Sequence, residues 1–209
     1  MEVFDWEGFR AAPLKRDPFE HVIVDGFIKS EALQRINADY PAIEDKGSFP
    51  VEDLEFGAGF QEMVDALNSD EFRAAFEEKF QLNLSGLPST LTVRGFCGGG
   101  DGQLHVDSVS KVISILIYVN PIWDNSGGRL RLLRRKNIDD VAAEIIPASG
   151  NLVAFRRSEK SWHGHLPFSG QRRVIQFNWV VSQRDQKIVV LRHRLSAAVK
   201  GLLRRTKAS

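Results

Sequence analysis

The chain has 209 residues, and its 28 lysine and arginine residues nearly balance its 27 aspartate and glutamate residues, which gives a formal net charge of +1. This balance excludes a globally basic nucleic-acid-binding protein and a strongly acidic protein. Hydrophobic residues make up 43% of the chain, which is enough for one domain with a substantial core. The single cysteine excludes a disulfide framework and a cysteine-based zinc site, so a metal site must draw on the five histidines.

Neither a secretion signal nor a membrane span is expected. The amino-terminal segment carries acidic residues and no apolar run, unlike a signal peptide. No window approaches the roughly eighteen consecutive apolar residues that a transmembrane helix needs. Together with the lone Cys97, these features predict a protein of the reducing cytoplasm.

Residues 1–86 are predicted to be mainly helical support. The run His21–Val24, closed by a turn at Gly26, predicts a short strand. Ser30 and Ser69 are predicted N-caps, because each stands directly before a segment in which apolar residues recur at helical spacing.

The pattern changes at Leu87, where short β-prone runs follow one another with turn residues between them. Many short strands without intervening helices indicate an antiparallel sandwich or jelly roll. We therefore predict one α+β domain over residues 1–209, with a jelly-roll (double-stranded β-helix) core at 87–183. The predicted strands are Leu91–Phe96, Val112–Asn120, Gly128–Leu133, Ala143–Pro147, Asn151–Phe155 and Arg173–Val181.

The charge is unevenly distributed along the chain. Residues 186–209 hold seven basic and no acidic residues, so the rest of the chain carries 21 basic against 27 acidic residues, or −6. Apolar residues at helical spacing predict a basic amphipathic helix over 184–209. It either docks on the body or makes a weak contact with an anionic partner or membrane surface. Its apolar positions are Ile188, Leu191, Leu195, Ala198, Val199 and Leu202, and its basic ones are Lys187, Arg192, Arg194, Lys200, Arg204, Arg205 and Lys207.

The most informative short pattern is His105-Val106-Asp107. Residues two apart in an extended segment point to the same face, so His105 and Asp107 present an imidazole nitrogen and a carboxylate oxygen side by side. A distant pair, His163 and His165, offers a third ligand. Two histidines and one carboxylate leave three coordination positions open, as in non-haem Fe(II) oxygenases. By itself, a His-x-Asp pair also fits a surface strand with two polar residues.

An alternating strand pattern surrounds Arg173. Arg173 shares one strand face with Ile175 and Phe177, and these apolar partners predict that the face is interior. An arginine there needs an anion, and a dicarboxylate substrate would supply one, because guanidinium binds carboxylate bidentately. A buried ion pair with aspartate or glutamate is the alternative. Arg172 is then predicted to point outward into solvent.

Together these elements resemble the 2-oxoglutarate/Fe(II)-dependent oxygenases, specifically the prolyl-4-hydroxylase-like branch. The resemblance covers roughly residues 91–181, and it is specific for the fold and the cofactor pair but uninformative about the substrate. Its elements follow the family's order: His105-Val106-Asp107, the strand Ile115–Asn120, Gly127-Gly128 with Leu130 and Leu132, Pro147 and Gly150 before Leu152–Phe155, and then His163, Pro167, Arg173 and Trp179.

The resemblance implies that His105, Asp107 and His163 are the iron ligands, with His163 favoured over His165 because the residues that follow match the family's spacing. It implies that Arg173 binds the distal carboxylate of 2-oxoglutarate and that the hydroxyl of Tyr118 contacts the same carboxylate.

The chain departs from the family at Arg94, near a position where members often have a tyrosine. Arg94 either contacts an acidic substrate or pairs with a nearby carboxylate. This departure leaves the polar lining of the co-substrate pocket open.

The implied activity is that of a dioxygenase that hydroxylates an unactivated C–H bond, with Fe(II), 2-oxoglutarate as co-substrate, O2, and ascorbate as an accessory reductant. The substrate would be a small molecule, a peptide or a protein, and no specific nucleic acid is expected. Two alternatives stay open. One is a non-catalytic metal-binding jelly-roll module that acts as a binding or sensory domain, and the other is a structural jelly roll with chance histidines.

Overall fold

The computed structural model describes residues 2–205, with side chains as far as Leu195. Lys207 and the predicted helix beyond residue 205 lie outside the described residues. The elements are α1 (Trp6–Ala11), β1 (His21–Val24), α2 (Ser30–Ala38), β2 (Phe49–Pro50), a 3₁₀ turn (Val51–Asp53), α3 (Ala58–Leu67), α4 (Asp70–Phe80), β3 (Ser89–Cys97), β4 (Lys111–Tyr118), β5 (Leu130–Leu133), β6 (Val141–Ile145), β7 (Leu152–Arg156), β8 (His163–Gly164), β9 (Gly170–Val180) and α5 (Gln183–Arg205).

Two antiparallel sheets form the core. The large sheet has the strand order β1-β7-β4-β9-β3-β2, and the small sheet has the order β6-β5-β8. Their facing surfaces bury Tyr118 and Val174 of the large sheet against Leu130 and Leu132 of the small one. The predicted α+β fold with a jelly-roll core is confirmed.

The other face of the large sheet is buried as well, because the amino-terminal helices cover it. Phe72 of α4 lies 5.4 Å from Phe177 and 5.9 Å from Trp179 between ring centroids, and these strand residues belong to the same apolar cluster as Ile175. Strand β9 is therefore interior on both sides. Its odd-numbered residues face the helices, and Val174 faces the small sheet.

The local predictions hold in part. The hydroxyl of Ser69 accepts a hydrogen bond from the backbone of Phe72 and caps α4 as predicted. Ser30, by contrast, is the first helical residue of α2, and Lys29 occupies the cap without a side-chain hydrogen bond. Strands β2 and β8 were not predicted, because each has only two residues and a period-two pattern needs more.

Helix α5 docks on the body through one side. The side-chain amide of Gln186 donates to the carbonyl oxygen of Ser89 at 2.6 Å, and Arg194 binds both carboxylate oxygens of Asp53 at 2.7 Å. Among the described residues, no helix combines the length and the apolar character that a membrane span requires.

Candidate metal and co-substrate site

The backbone brings the two distant histidines together. His105 pairs with His163 of β8 through two reciprocal N–H···O=C hydrogen bonds of 3.0 Å each, and the ring centroids lie 4.4 Å apart. Asp107 follows two residues after His105, and its Oδ1 lies 4.0 Å from the Nε2 of His105. One ligand atom from each of the three side chains lies within 4.8 Å of the others, which is a spacing that one metal ion can bridge.

Both imidazole rings are held in an orientation suited to a metal. The Nδ1 of His105 lies 2.7 Å from the carbonyl oxygen of Gln103, and the Nδ1 of His163 lies 2.9 Å from that of Ser161. Because a carbonyl only accepts hydrogen bonds, each Nδ1 carries a hydrogen, and Nε2 is the ring nitrogen left to bind a metal. Burial also lowers the pKa of His163 to about 4, against the opposing effect of Asp107, so this ring is neutral near pH 7.

Asp107 is the most firmly held member of the cluster. The ammonium of Lys111 donates to its Oδ1 at 2.8 Å, and the hydroxyl of Ser114 donates to its Oδ2 at 2.5 Å. Burial alone would raise the pKa of Asp107, but the charge of Lys111 and the hydrogen bonds from Lys111 and Ser114 hold this pKa below its ordinary value. Asp107 is therefore a carboxylate, the form that binds a metal cation.

A cavity of about 160 Å³ opens beside these three side chains. Its walls are apolar at Leu116, Leu130 and Val174 and cationic at two arginines. The other lining residues are Ser48, Thr92, Gly102, Gly164, His165 and Gln176, and the arginines are Arg94 and Arg172.

Of the two consecutive arginines of β9, Arg172 reaches this cavity and Arg173 does not. Arg172 is only 4% exposed, and its Nε donates to the carbonyl oxygen of Gly128 at 2.9 Å. The guanidinium carbon lies 5.2 Å from the ring centroid of Tyr118. Among the described residues, no aspartate or glutamate forms an ion pair with Arg172, so its buried charge lacks an anion.

Arg173 lies on the opposite face of β9. Its Nη1 donates to the Oδ1 of Asn37 at 2.8 Å, and its guanidinium stacks on the ring of Tyr40 with 4.8 Å between the guanidinium carbon and the centroid. The predictions that Arg173 faces the co-substrate and that Arg172 is solvated were therefore wrong. The alternation was right, but β9 has two buried faces, and the apolar face of Arg173 packs on the helices.

Tyr118 is fully buried, and its hydroxyl has no hydrogen-bond partner among the described residues. Burial raises the pKa of this phenol above its ordinary value. The hydroxyl is therefore a neutral donor beneath Arg172.

His165 lines the same cavity without joining the three-residue cluster. Its Nδ1 lies 2.8 Å from the carbonyl oxygen of Leu166, and its Nε2 lies 3.9 Å from the Sγ of Cys97. Burial and then the charge of Arg172 lower its pKa to about 4, so this ring is neutral near pH 7.

Arg94 is paired, in line with one of its two predicted roles. Its Nη1 lies 3.1 Å from a carboxylate oxygen of Asp101, and its Nη2 donates to the hydroxyl of Ser48 at 3.2 Å.

Sequence reasoning missed the two residues that hold Asp107. Ser114 carried a signal, because it is a small polar residue within the apolar run of β4. Lys111 carried none, since a lysine at the start of a strand is ordinary.

Known proteins match both the sequence and the fold. Residues 92–181 match the family model of the 2OG-Fe(II) oxygenase superfamily. A Pseudomonas putida prolyl-4-hydroxylase has 19% identity and a TM-score of 0.57 over 85% of this chain and 97% of that one. The viral collagen prolyl hydroxylase of Paramecium bursaria Chlorella virus-1, solved with 2OG, has 16% identity and a TM-score of 0.54 over 78% and 96%. A Trichoplax adhaerens prolyl hydroxylase, in complex with a hypoxia inducible factor peptide fragment, has 16% identity and a TM-score of 0.52 over 80% and 86%. No curated protein matches the chain.

The two sheets gather two histidines and one aspartate beside a cavity, which is the donor set of a non-haem Fe(II) site. The chain carries a match to the 2OG-Fe(II) oxygenase superfamily over residues 92–181, and its fold is like that of the prolyl-4-hydroxylases. It is a dioxygenase that uses Fe(II), 2-oxoglutarate and O2. The catalytic interpretation is thereby favoured over a non-catalytic module, and the use of ascorbate stays a prediction.

The glycine-rich turn before His105 generates a prediction about His165. Gly102 has φ +73°, and a Cβ added there would lie 1.9 Å from the Nε2 of His165, whereas one added at Gly100 meets nothing within 4 Å. We expect Gly102→Ala to lower the free energy of unfolding by about 1–3 kcal/mol, because the backbone is strained and the imidazole must move.

Gly100→Ala is the matched control and should stay within about 0.5 kcal/mol of the wild type. Urea unfolding measures both changes, and imidazole NMR reports the displacement of His165. Equal effects of the two substitutions would contradict the packing described for this turn.

Proposed function

We propose that His105, Asp107 and His163 hold the catalytic Fe(II), and that Arg172 holds the distal carboxylate of 2-oxoglutarate. The observation that carries this proposal is the meeting of three ligand atoms within 4.8 Å of one another in a cavity that also contains a buried guanidinium, which has no ion pair among the described residues. The donor set fits Fe(II), since two imidazoles and one carboxylate can bind it from one side and leave the cavity side open.

Once bound, iron and 2-oxoglutarate would supply, together with O2, the oxidative chemistry that converts a C–H bond to an alcohol while the co-substrate becomes succinate and CO2. The side chains of the protein would hold the ligands and the reacting molecules in position. Lys111 and Ser114 fix the carboxylate of Asp107, so it does not need to reorganise when a cation arrives. The aliphatic side chains of Leu116, Leu130 and Val174 limit the water that reaches the reacting atoms.

The charge of the cavity suits a dianionic co-substrate. Arg172 is held by Gly128 through its Nε, which leaves its terminal nitrogens for a bidentate bond to a carboxylate. Tyr118 beneath it provides a hydroxyl that lacks a partner among the described residues. A carboxylate at this position would satisfy both groups, each of which is costly to bury unpaired.

For the prime substrate we propose a residue within a peptide or protein, with a prolyl residue as the first to test. His105 is 51% exposed, so the cluster lies at an open mouth that admits a polypeptide segment. The Trichoplax adhaerens neighbour holds a peptide fragment, which supports the same substrate class. Peptides that contain proline would be screened by mass spectrometry for a gain of one oxygen, with succinate measured in parallel.

The iron-ligand assignment predicts different outcomes for two neighbouring histidines. His163→Ala removes a donor from the cluster, so we expect it to lose stoichiometric Fe(II) in anaerobic titration. His165→Ala is the matched control, because it removes a buried imidazole from the same cavity but outside the cluster, and it should retain one Fe(II) per chain. Iron loss in the second variant alone would refute the assignment.

The co-substrate assignment predicts different outcomes for two adjacent arginines. Arg172→Met removes the buried cation, so we expect 2-oxoglutarate affinity to fall by about 2–5 kcal/mol, with Fe(II) retained. Arg173→Met removes an equal charge from the opposite face and should leave this affinity within about threefold of the wild type. Calorimetric titration of 2-oxoglutarate into the anaerobic Fe(II) protein measures both. If only Arg173→Met weakens binding, then Arg173 is the anchor after all.

A further inference from the structure

Helix α5 has one face that neither its docking nor the proposed reaction uses. The docked side carries Gln186, which binds the carbonyl of Ser89, and the partly buried Val189, Val190 and His193. The opposite side, which we call the α5 outer face, consists of Lys187, Ile188, Leu191, Arg192 and Leu195, all exposed to solvent.

The centre of the α5 outer face is apolar. Ile188, Leu191 and Leu195 are 45%, 56% and 58% exposed. They are spaced three and four residues apart, so they form one row along the helix. The sequence continues with apolar residues at 198, 199 and 202. Large aliphatic side chains exposed in a continuous row, rather than singly, mark a binding surface.

Cations border this row on both sides. Because the helix turns about 100° per residue, Lys187 lies on one side of the row and Arg192 on the other. Arg194 is separate from them, since Asp53 already binds it through two 2.7 Å contacts and so anchors the helix to the body. The segment 186–209 carries seven basic and no acidic residues, so no carboxylate within it offsets these charges.

This arrangement of apolar and basic residues favours one kind of binding partner for the α5 outer face. A second copy would bring two such basic segments together, which like-charge repulsion opposes. An aliphatic row flanked by long cationic side chains fits the boundary of a bilayer, where the row enters the acyl region and the cations reach the phosphates on either side.

We propose that the α5 outer face binds membranes that contain anionic lipids. The interaction is peripheral: the helix lies in the plane of the interface while its inner side stays docked on β2 and β3. It is independent of the iron and co-substrate assignments, because none of its residues lies in the cavity.

The test is co-sedimentation of the full chain with vesicles. We expect binding to mixed phosphatidylcholine–phosphatidylglycerol vesicles at low salt and at least tenfold weaker binding to pure phosphatidylcholine. Lys187→Gln with Arg192→Gln should weaken binding roughly 25-fold, at about fivefold per cation. Exchanging Ile188, Leu191 and Leu195 for serine should weaken it at least tenfold. The matched charge control, Arg16→Gln with Lys160→Gln, removes two exposed cations elsewhere and should bind like the wild type.

A second measurement separates insertion from simple charge attraction. Cys97 is fully buried, so a polarity-sensitive dye will label Leu191→Cys selectively. Its emission should shift to the blue with anionic vesicles, while dye on Arg16→Cys should not shift. The proposal is overturned if the wild type binds neither vesicle, or if the serine variant binds as well as the wild type. It is also overturned if the chain binds polyglutamate but no vesicles, because the partner of the α5 outer face is then an acidic protein.

Discussion

The site depends on one piece of backbone pairing, the two hydrogen bonds between His105 and His163. His163 belongs to β8 of the small sheet, whereas Asp107 is held by Ser114 of the large sheet. The three proposed ligands therefore meet only when the two sheets close on each other. Because the ligand set exists only in the folded protein, the free energy of metal binding adds to the stability of the fold. We therefore expect a bound metal ion to raise the free energy of unfolding of the jelly roll.

The second constraint is that the large sheet is buried on both faces. Its helix-facing side contributes to an aromatic cluster that includes Phe72, Phe177 and Trp179. Its other side faces the small sheet and provides the walls of the cavity. Strand β9 has two consecutive arginines, whose side chains lie on opposite faces of the large sheet. A shift of the strand register by one residue would therefore change which guanidinium is buried beside the proposed iron site. Arg172 occupies that position, next to a tyrosine hydroxyl that also lacks a partner among the described residues.

The sequence predicted what depends on local pattern. The runs of short strands indicated the jelly roll, and the His-x-Asp spacing with a distant histidine indicated the ligand cluster. Alternation correctly grouped Arg173 with Ile175 and Phe177, but it did not reveal which of two interior faces held the cavity. That choice depends on tertiary packing against α4, which no local pattern encodes. The backbone pairing of His105 with His163 likewise could not be predicted from the sequence, because β8 has only two residues and its register is set by the closure of the sheets.

We propose that His105, Asp107, His163 and Arg172 form a single site for Fe(II) and 2-oxoglutarate. A crystal structure of the anaerobic protein with iron and 2-oxoglutarate, with the metal located by anomalous scattering, tests this claim most directly. We expect one metal ion bound by His105, Asp107 and His163, and the distal carboxylate of 2-oxoglutarate bound by the guanidinium of Arg172. A metal ion coordinated by His165, or a carboxylate held by Arg173 on the helix-facing side, would contradict this proposal.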